Sequence, residues 1–158
     1  MDKPTLYLET SVISYLAALP SRDPITARNQ QITREWWDTR RNEHVLVASP
    51  TVLDEAALGD AEFARRRRSY LDRVPLLQVT GEVEVLAGVL LRQVPLPVHA
   101  RSDALHVAVA AVYGVAYVLT WDRKHIANPK LVPRFQRFCG DLGYTAPLLT
   151  TPASMMER

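Results

Sequence analysis

The chain has 158 residues, and 19 Lys and Arg against 17 Asp and Glu leave a formal net charge of only +2. That length fits one domain spanning residues 1–158, and 47% hydrophobic residues suffice for a buried core, so global disorder is excluded. The single cysteine, Cys139, excludes an intramolecular disulfide and a cysteine-built zinc site, and the near-zero charge gives no global sign of a nucleic-acid partner.

Short apolar runs alternate with longer helical patterns along the chain. Residues 6–8 read as a first strand, followed by helices over about 11–19 and 26–42. A second strand over 45–48 leads to helices at about 51–58 and 61–73, and residues 76–79 read as a third strand. Helices over about 82–93 and 102–113 precede a fourth strand at 117–120, then a helix over 130–142 and a weaker edge strand at 148–150. Leu105, Ala108, Val109 and Val112 mark the clearest helical stripe. Prolines 20, 24, 75, 95, 97 and 147 fall in the joints. Strands alternating with helices imply crossover connections, hence an α/β fold with a largely parallel sheet covered on both faces.

Between Asp103 and Asp122 lie 18 residues without a formal charge, close to the roughly 20 that a membrane-spanning helix needs. Gly114 divides them into an alanine-rich half and a β-branched, aromatic half. A helix, a glycine stop and a buried strand account for both textures, so no membrane span is expected. No apolar run follows the first four residues, so no secretory signal is expected either, and the protein reads as soluble and cytoplasmic.

In parallel α/β sheets, ligands bind beyond the carboxyl ends of the strands. Glu9 directly follows the first strand and Asp122 the fourth, while Glu55 lies on the helix after the second strand. Asp103 opens the alanine-rich helix. Four acids from four segments converging on one edge would repel one another, and a hard cation resolves that repulsion. Taken singly, Asp103 with Ser102 also reads as a helix cap, Asp122 as a turn residue and Glu55 as a solvated helix residue.

The blocks LYLETSVIS (6–14), ASPTVLDE (48–55), SDALHVAVA (102–110) and YVLTWD (117–122) resemble those of PIN-domain proteins, in the same order. The resemblance covers about residues 6–128, with 129–158 as a C-terminal helix and edge strand. It implies a three-layer α/β/α sandwich around a mostly parallel four- to five-stranded sheet. It also implies a metal-dependent ribonuclease, many small members of the family being VapC-type toxins of toxin–antitoxin pairs. On that resemblance Glu9, Glu55, Asp103 and Asp122 form the acidic quartet. Glu9, Asp103 and Asp122 would hold Mg²⁺ or Mn²⁺, and Glu55 would complete the set or orient water. Thr10, Ser11 and Thr120 would be supporting hydroxyls, and the products would carry 5′-phosphate and 3′-hydroxyl ends. An RNA substrate, a cognate antitoxin and a homodimer are the implied partners. Most of the family begins the quartet with aspartate; Glu9 places its carboxylate farther out by one bond, roughly 1.5 Å.

His106, one helical turn after Asp103, reads as a packed and satisfied histidine, as a hydrogen-bond partner of a quartet carboxylate, or as a substrate contact. His44, His99 and His125 share no helical spacing, so a histidine metal site is not expected. RNA contacts are expected from Arg65, Arg66, Arg67, Arg68, Arg123 and Lys124, in two locally basic stretches. Trp36 and Trp37 read as core or dimer interface, and Cys139 as packed. The six glycines form no phosphate-binding loop. Two readings are open: a metal-dependent endoribonuclease of the toxin class, and a catalytically weak PIN-like module that binds RNA or protein without cutting.

Overall fold

The computed structural model describes residues 2–158. Strand β1 (Thr5–Leu8) is followed by helices α1 (Thr10–Ala17) and α2 (Pro24–Arg40), and then by β2 (Val45–Val47). Four helices come next: α3 (Pro50–Ala56), α4 (Ala61–Ser69), α5 (Gly81–Gln93) and α6 (Arg101–Val112). Strand β3 (Tyr117–Leu119), α7 (Val132–Asp141), β4 (Leu148–Thr150) and α8 (Pro152–Met156) complete the chain. The strands lie in the order β2-β1-β3-β4 and every pair is parallel. Leaving β1, the chain moves to one side of the sheet; it then returns over β1 to place β3 and β4 on the other. The switch point of the sheet therefore lies between β1 and β3, where open α/β sheets bind ligands.

Leu6, Tyr7 and Leu8 are fully buried, as are Val118 and Leu119, because the two central strands are covered on both faces. Helices α1, α2, α4 and α8 pack among themselves, and α5 packs on α6 and α7. The expected stripe on α6 is too narrow. Leu105 and Val112 are only half-buried, whereas Ala104, Val107, Ala108, Val109, Ala110 and Ala111 are buried. Small side chains let α6 be enclosed on nearly every side. Trp36 is core, and Trp37 is half-buried, edge-on to Tyr70.

Two expectations change. The third strand expected at 76–79 shrinks to one parallel bridge, Leu76 against Ala48. Its partner edge runs out there, because Ser49 and Pro50 turn the chain into α3. The helix expected over 61–73 ends at Ser69, and α8 was not expected. The boundary at Gly114 is as anticipated. With φ +68, Gly114 lets its own N–H reach Ala111 O at 3.2 Å and the Val115 N–H reach Ala110 O at 2.8 Å, satisfying two terminal carbonyls of α6. Among the described residues, no helix is long and apolar enough to cross a membrane.

The backbone role of Gly114 separates it from Gly140, which lies inside α7 without a positive φ. No atom would meet a new Cβ within 4 Å at either position. Gly114→Ala should therefore lower stability in urea denaturation by about 1–2 kcal/mol through left-handed strain. Gly140→Ala should raise it by about 0.5–1 kcal/mol through helix propensity.

Candidate active site

Glu9 and Asp122 emerge from adjacent strands at the switch point. The Glu9 N–H continues the β1–β3 ladder to Leu119 O at 3.1 Å, and its side chain caps α1 by accepting from the Ser11 N–H at 3.1 Å. The same oxygen, Oε1, accepts from the Ser11 hydroxyl and from Thr120 Oγ1, the latter at 2.6 Å. Ser11 Oγ accepts in turn from the Trp121 N–H at 2.8 Å, and Thr120 Oγ1 from the Asp122 N–H at 2.9 Å. Glu9 is only 6% exposed, yet among the described residues nothing bonds its second oxygen, Oε2.

Glu55 sits in the last turn of α3, half-buried, while neighbouring Asp54 is exposed. Its Oε1 lies 2.7 Å from Thr10 Oγ1 and 2.7 Å from His106 Nε2. Burial pushes the Glu55 carboxyl up, but the His106 bond and charge, with Thr10, outweigh it and hold the group below its ordinary value. His106 is fully buried; desolvation lowers its pKa, and the bond to Glu55 with the charges of Glu9, Glu55 and Asp103 raises it further.

Asp103 lies in the first turn of α6 but is not its cap, a position taken by Ala100 without a side-chain bond. Its Oδ2 is 2.7 Å from His125 Nδ1. Asp122 does form a turn, its Oδ1 accepting from the Lys124 and His125 N–H groups at 3.1 and 2.9 Å. Its Oδ2 is nevertheless 3.9 Å from the same His125 nitrogen. Burial and the Asp122 charge push the Asp103 carboxyl up to about 6 against the opposing pull of His125 and His106.

The four acids thus meet as two pairs, each with a histidine: Glu9 and Glu55 with His106, Asp103 and Asp122 with His125. Within each group, one donor atom per residue lies within 4.8 Å of the others. In each group the histidine nitrogen is hydrogen-bonded to a carboxylate oxygen at 2.7 Å, His106 Nε2 to Glu55 and His125 Nδ1 to Asp103, so the oxygens outside these bonds are the ones open to a cation. Carboxylate oxygens are the donor type that suits hard divalent cations such as Mg²⁺ and Mn²⁺. His125 escapes a sequence reading because helical spacing detects pairs on one helix, and its partners lie at the start of α6 and the end of β3.

The arginine block divides. Arg67 donates to Ala56 O at 2.8 Å and to Leu58 O, tying α4 to the end of α3, and Arg66 lies over the Phe63 ring. Arg65 and Arg68 are exposed and line a groove of about 340 Å³ with Ala57, Gly59, Ala61 and Ala64. Arg123 and Lys124 are exposed beside Asp122. Cys139 is buried, and desolvation pushes its thiol up to about 11.

No protein-family model matches the chain, and no curated protein matches it significantly by sequence. Solved structures do match in fold. VapC20 of Mycobacterium tuberculosis, a sarcin–ricin-loop-cleaving toxin, aligns over 90% of this chain and 100% of its own, with a TM-score of 0.61 and 16% identity. A chain of VapBC2 from Rickettsia felis, solved with a DNA fragment from its promoter, aligns over 93% of this chain and 98% of its own, with a TM-score of 0.55 and 15% identity. The chain therefore has the PIN-like α/β fold of VapC-type toxins.

A carboxyl held above its ordinary value favours folding while protonated and loses that contribution as pH rises. The metal-free protein should accordingly lose stability between pH 3.8 and about 6 through Asp103. Asp103→Asn should remove that part of the loss, so the two melting curves in EDTA converge at low pH and separate, mutant higher, toward neutrality.

Proposed function

We propose that the protein is a metal-dependent endoribonuclease and the toxin of a type II toxin–antitoxin pair. The observation that supports this reading is the meeting of Glu9 with Glu55 and of Asp103 with Asp122, Glu9 and Asp122 following the two central strands, in a fold shared with VapC-type toxins. Glu9, Asp103 and Asp122 would hold one or two Mg²⁺ or Mn²⁺ ions. A bound ion would neutralise phosphate charge and make water a nucleophile near neutral pH.

The side chains supply the rest. Ser11 and Thr120 fix Glu9, and His125 meets both Asp103 and Asp122. Glu55, held ionised with one oxygen bonded to Thr10 and His106, presents the other to an attacking water. Arg65, Arg68, Arg123 and Lys124 are the exposed cations proposed to meet the RNA backbone. The VapBC2 neighbour supports a cognate antitoxin as protein partner, and a homodimer is the proposed assembly. The saturated Oε1 of Glu9 favours the alternative, a binding module that does not cut.

Two experiments test the reading. With Mg²⁺ or Mn²⁺, the purified protein should cleave members of a panel of hairpin and single-stranded RNAs. EDTA should stop cleavage, and Asp122→Asn should lower it by 10²-fold or more. Absence of cleavage with either metal, together with retained RNA binding, would favour the binding module.

Salt-dependent RNA binding tests the basic residues. Each of Arg65→Ala and Arg68→Ala should lower the slope of log affinity against log salt by about 0.7, the value for one phosphate contact on single strands. Arg67→Ala should instead lower the melting temperature, because its bonds to Ala56 O and Leu58 O are lost.

A further inference from the structure

We infer that Tyr7, backed by Ser49, is a positioning residue for Glu55 that acts through His106; this rests on the nuclease reading above. Tyr7 is a fully buried side chain in the middle of a strand whose neighbours, Leu6 and Leu8, are apolar. Phenylalanine would fill nearly the same space, and a buried hydroxyl costs free energy unless it is bonded. Its partners are both across the fold: Ser49 Oγ at 2.7 Å, before α3, and His106 Nδ1 at 2.6 Å, on α6. The opposite nitrogen, His106 Nε2, is 2.7 Å from Glu55 Oε1, which Thr10 Oγ1 also reaches at 2.7 Å. A continuous line of bonds therefore joins Ser49, Tyr7, His106 and Glu55, with its first three members buried.

The chemistry of each group sets the direction of this line. A carboxylate only accepts, and Glu55 Oε1 already accepts from Thr10 Oγ1, so Nε2 carries the proton between His106 and Glu55. Tyr7 bonds Nδ1 in either state of the ring, donating to a neutral imidazole and accepting from a charged one. The Ser49 hydroxyl donates or accepts to match. The Nε2–H thus stays on Glu55 whatever the proton count. Glu55 is an otherwise flexible side chain on the last turn of a short helix. With Oε1 fixed from two sides, Oε2 is the oxygen left for water or cation. Orientation of this kind, supplied by groups behind the reacting residues, typically contributes 10–100-fold to activity or metal affinity.

The test is a double-mutant cycle on the full chain, read by RNA cleavage with Mn²⁺ and by the ring-nitrogen NMR shifts of His106. Tyr7→Phe should lower kcat about 10–100-fold with KM unchanged. Ser49→Ala should lower it less, in the same direction. Combined with His106→Gln, Tyr7→Phe should cause no further loss, because its effect passes through the imidazole. In the metal-free protein, Tyr7→Phe should shift the His106 ring-nitrogen signals. Full kcat in Tyr7→Phe, an equal loss in the His106→Gln background, or an unchanged ring-nitrogen spectrum would each overturn the inference. A wild-type protein that cuts no RNA would overturn the proposed function instead, and the nitrogen spectra would still decide the relay.

Discussion

One carboxylate oxygen holds the site together. Glu9 Oε1 accepts from the Ser11 N–H, the Ser11 hydroxyl and the Thr120 hydroxyl, and so fastens the end of β1 and the start of α1 to the end of β3. These are the two central strands of the sheet, at the point where the chain changes direction across it. A buried carboxylate without such donors would carry a desolvation cost of several kcal/mol. With them, the strand ends are locked in register, and Asp122 is held against the same network through Thr120.

The same economy runs through the other acids. Glu55 commits Oε1 to Thr10 and His106, and Asp122 commits Oδ1 to its turn. Among the described residues, the second oxygen of Glu55 takes no hydrogen bond, and that of Asp122 lies 3.9 Å from His125 Nδ1. Capping and turn formation are therefore not alternatives to a functional role at these positions. They are the means by which a charged side chain acquires one orientation, as a site for a cation or a phosphate requires. Asp103 is the exception: among the described residues its carboxylate bonds only His125, and burial with the Asp122 charge pushes it up.

Strands β1, β2, β3 and β4 and the break at Gly114 were legible in the sequence, because each depends on local pattern: apolar runs and a glycine stop. Glu9 and Asp122 stood out as acids just after a strand, whereas Glu55 and Asp103 lie on helices and drew their place in the proposed site from the resemblance of their sequence blocks. The strand expected at 76–79 failed because pairing requires a partner edge, and the turn at Ser49 and Pro50 removes it. The arginine block shows the same limit. Four identical residues in a row divide into an anchor, a ring contact and two exposed groove-lining arginines only when the course of α3 is known. Tyr7 and His125 were invisible as site residues, since their partners are 99 and 22 residues away.

The formal charge of +2 conceals four acids gathered in two pairs and basic residues at the surface, Arg123 and Lys124 lying directly beside Asp122. Manganese soaked into crystals of the protein and located by anomalous diffraction tests the metal-centre reading most directly. Peaks are expected in the cleft, within about 2.2 Å of carboxylate oxygens of Asp103 and Asp122, with Glu9 and Glu55 in or beside the coordination sphere. An empty cleft at millimolar Mn²⁺, with all four carboxylates in their present hydrogen bonds, would contradict it.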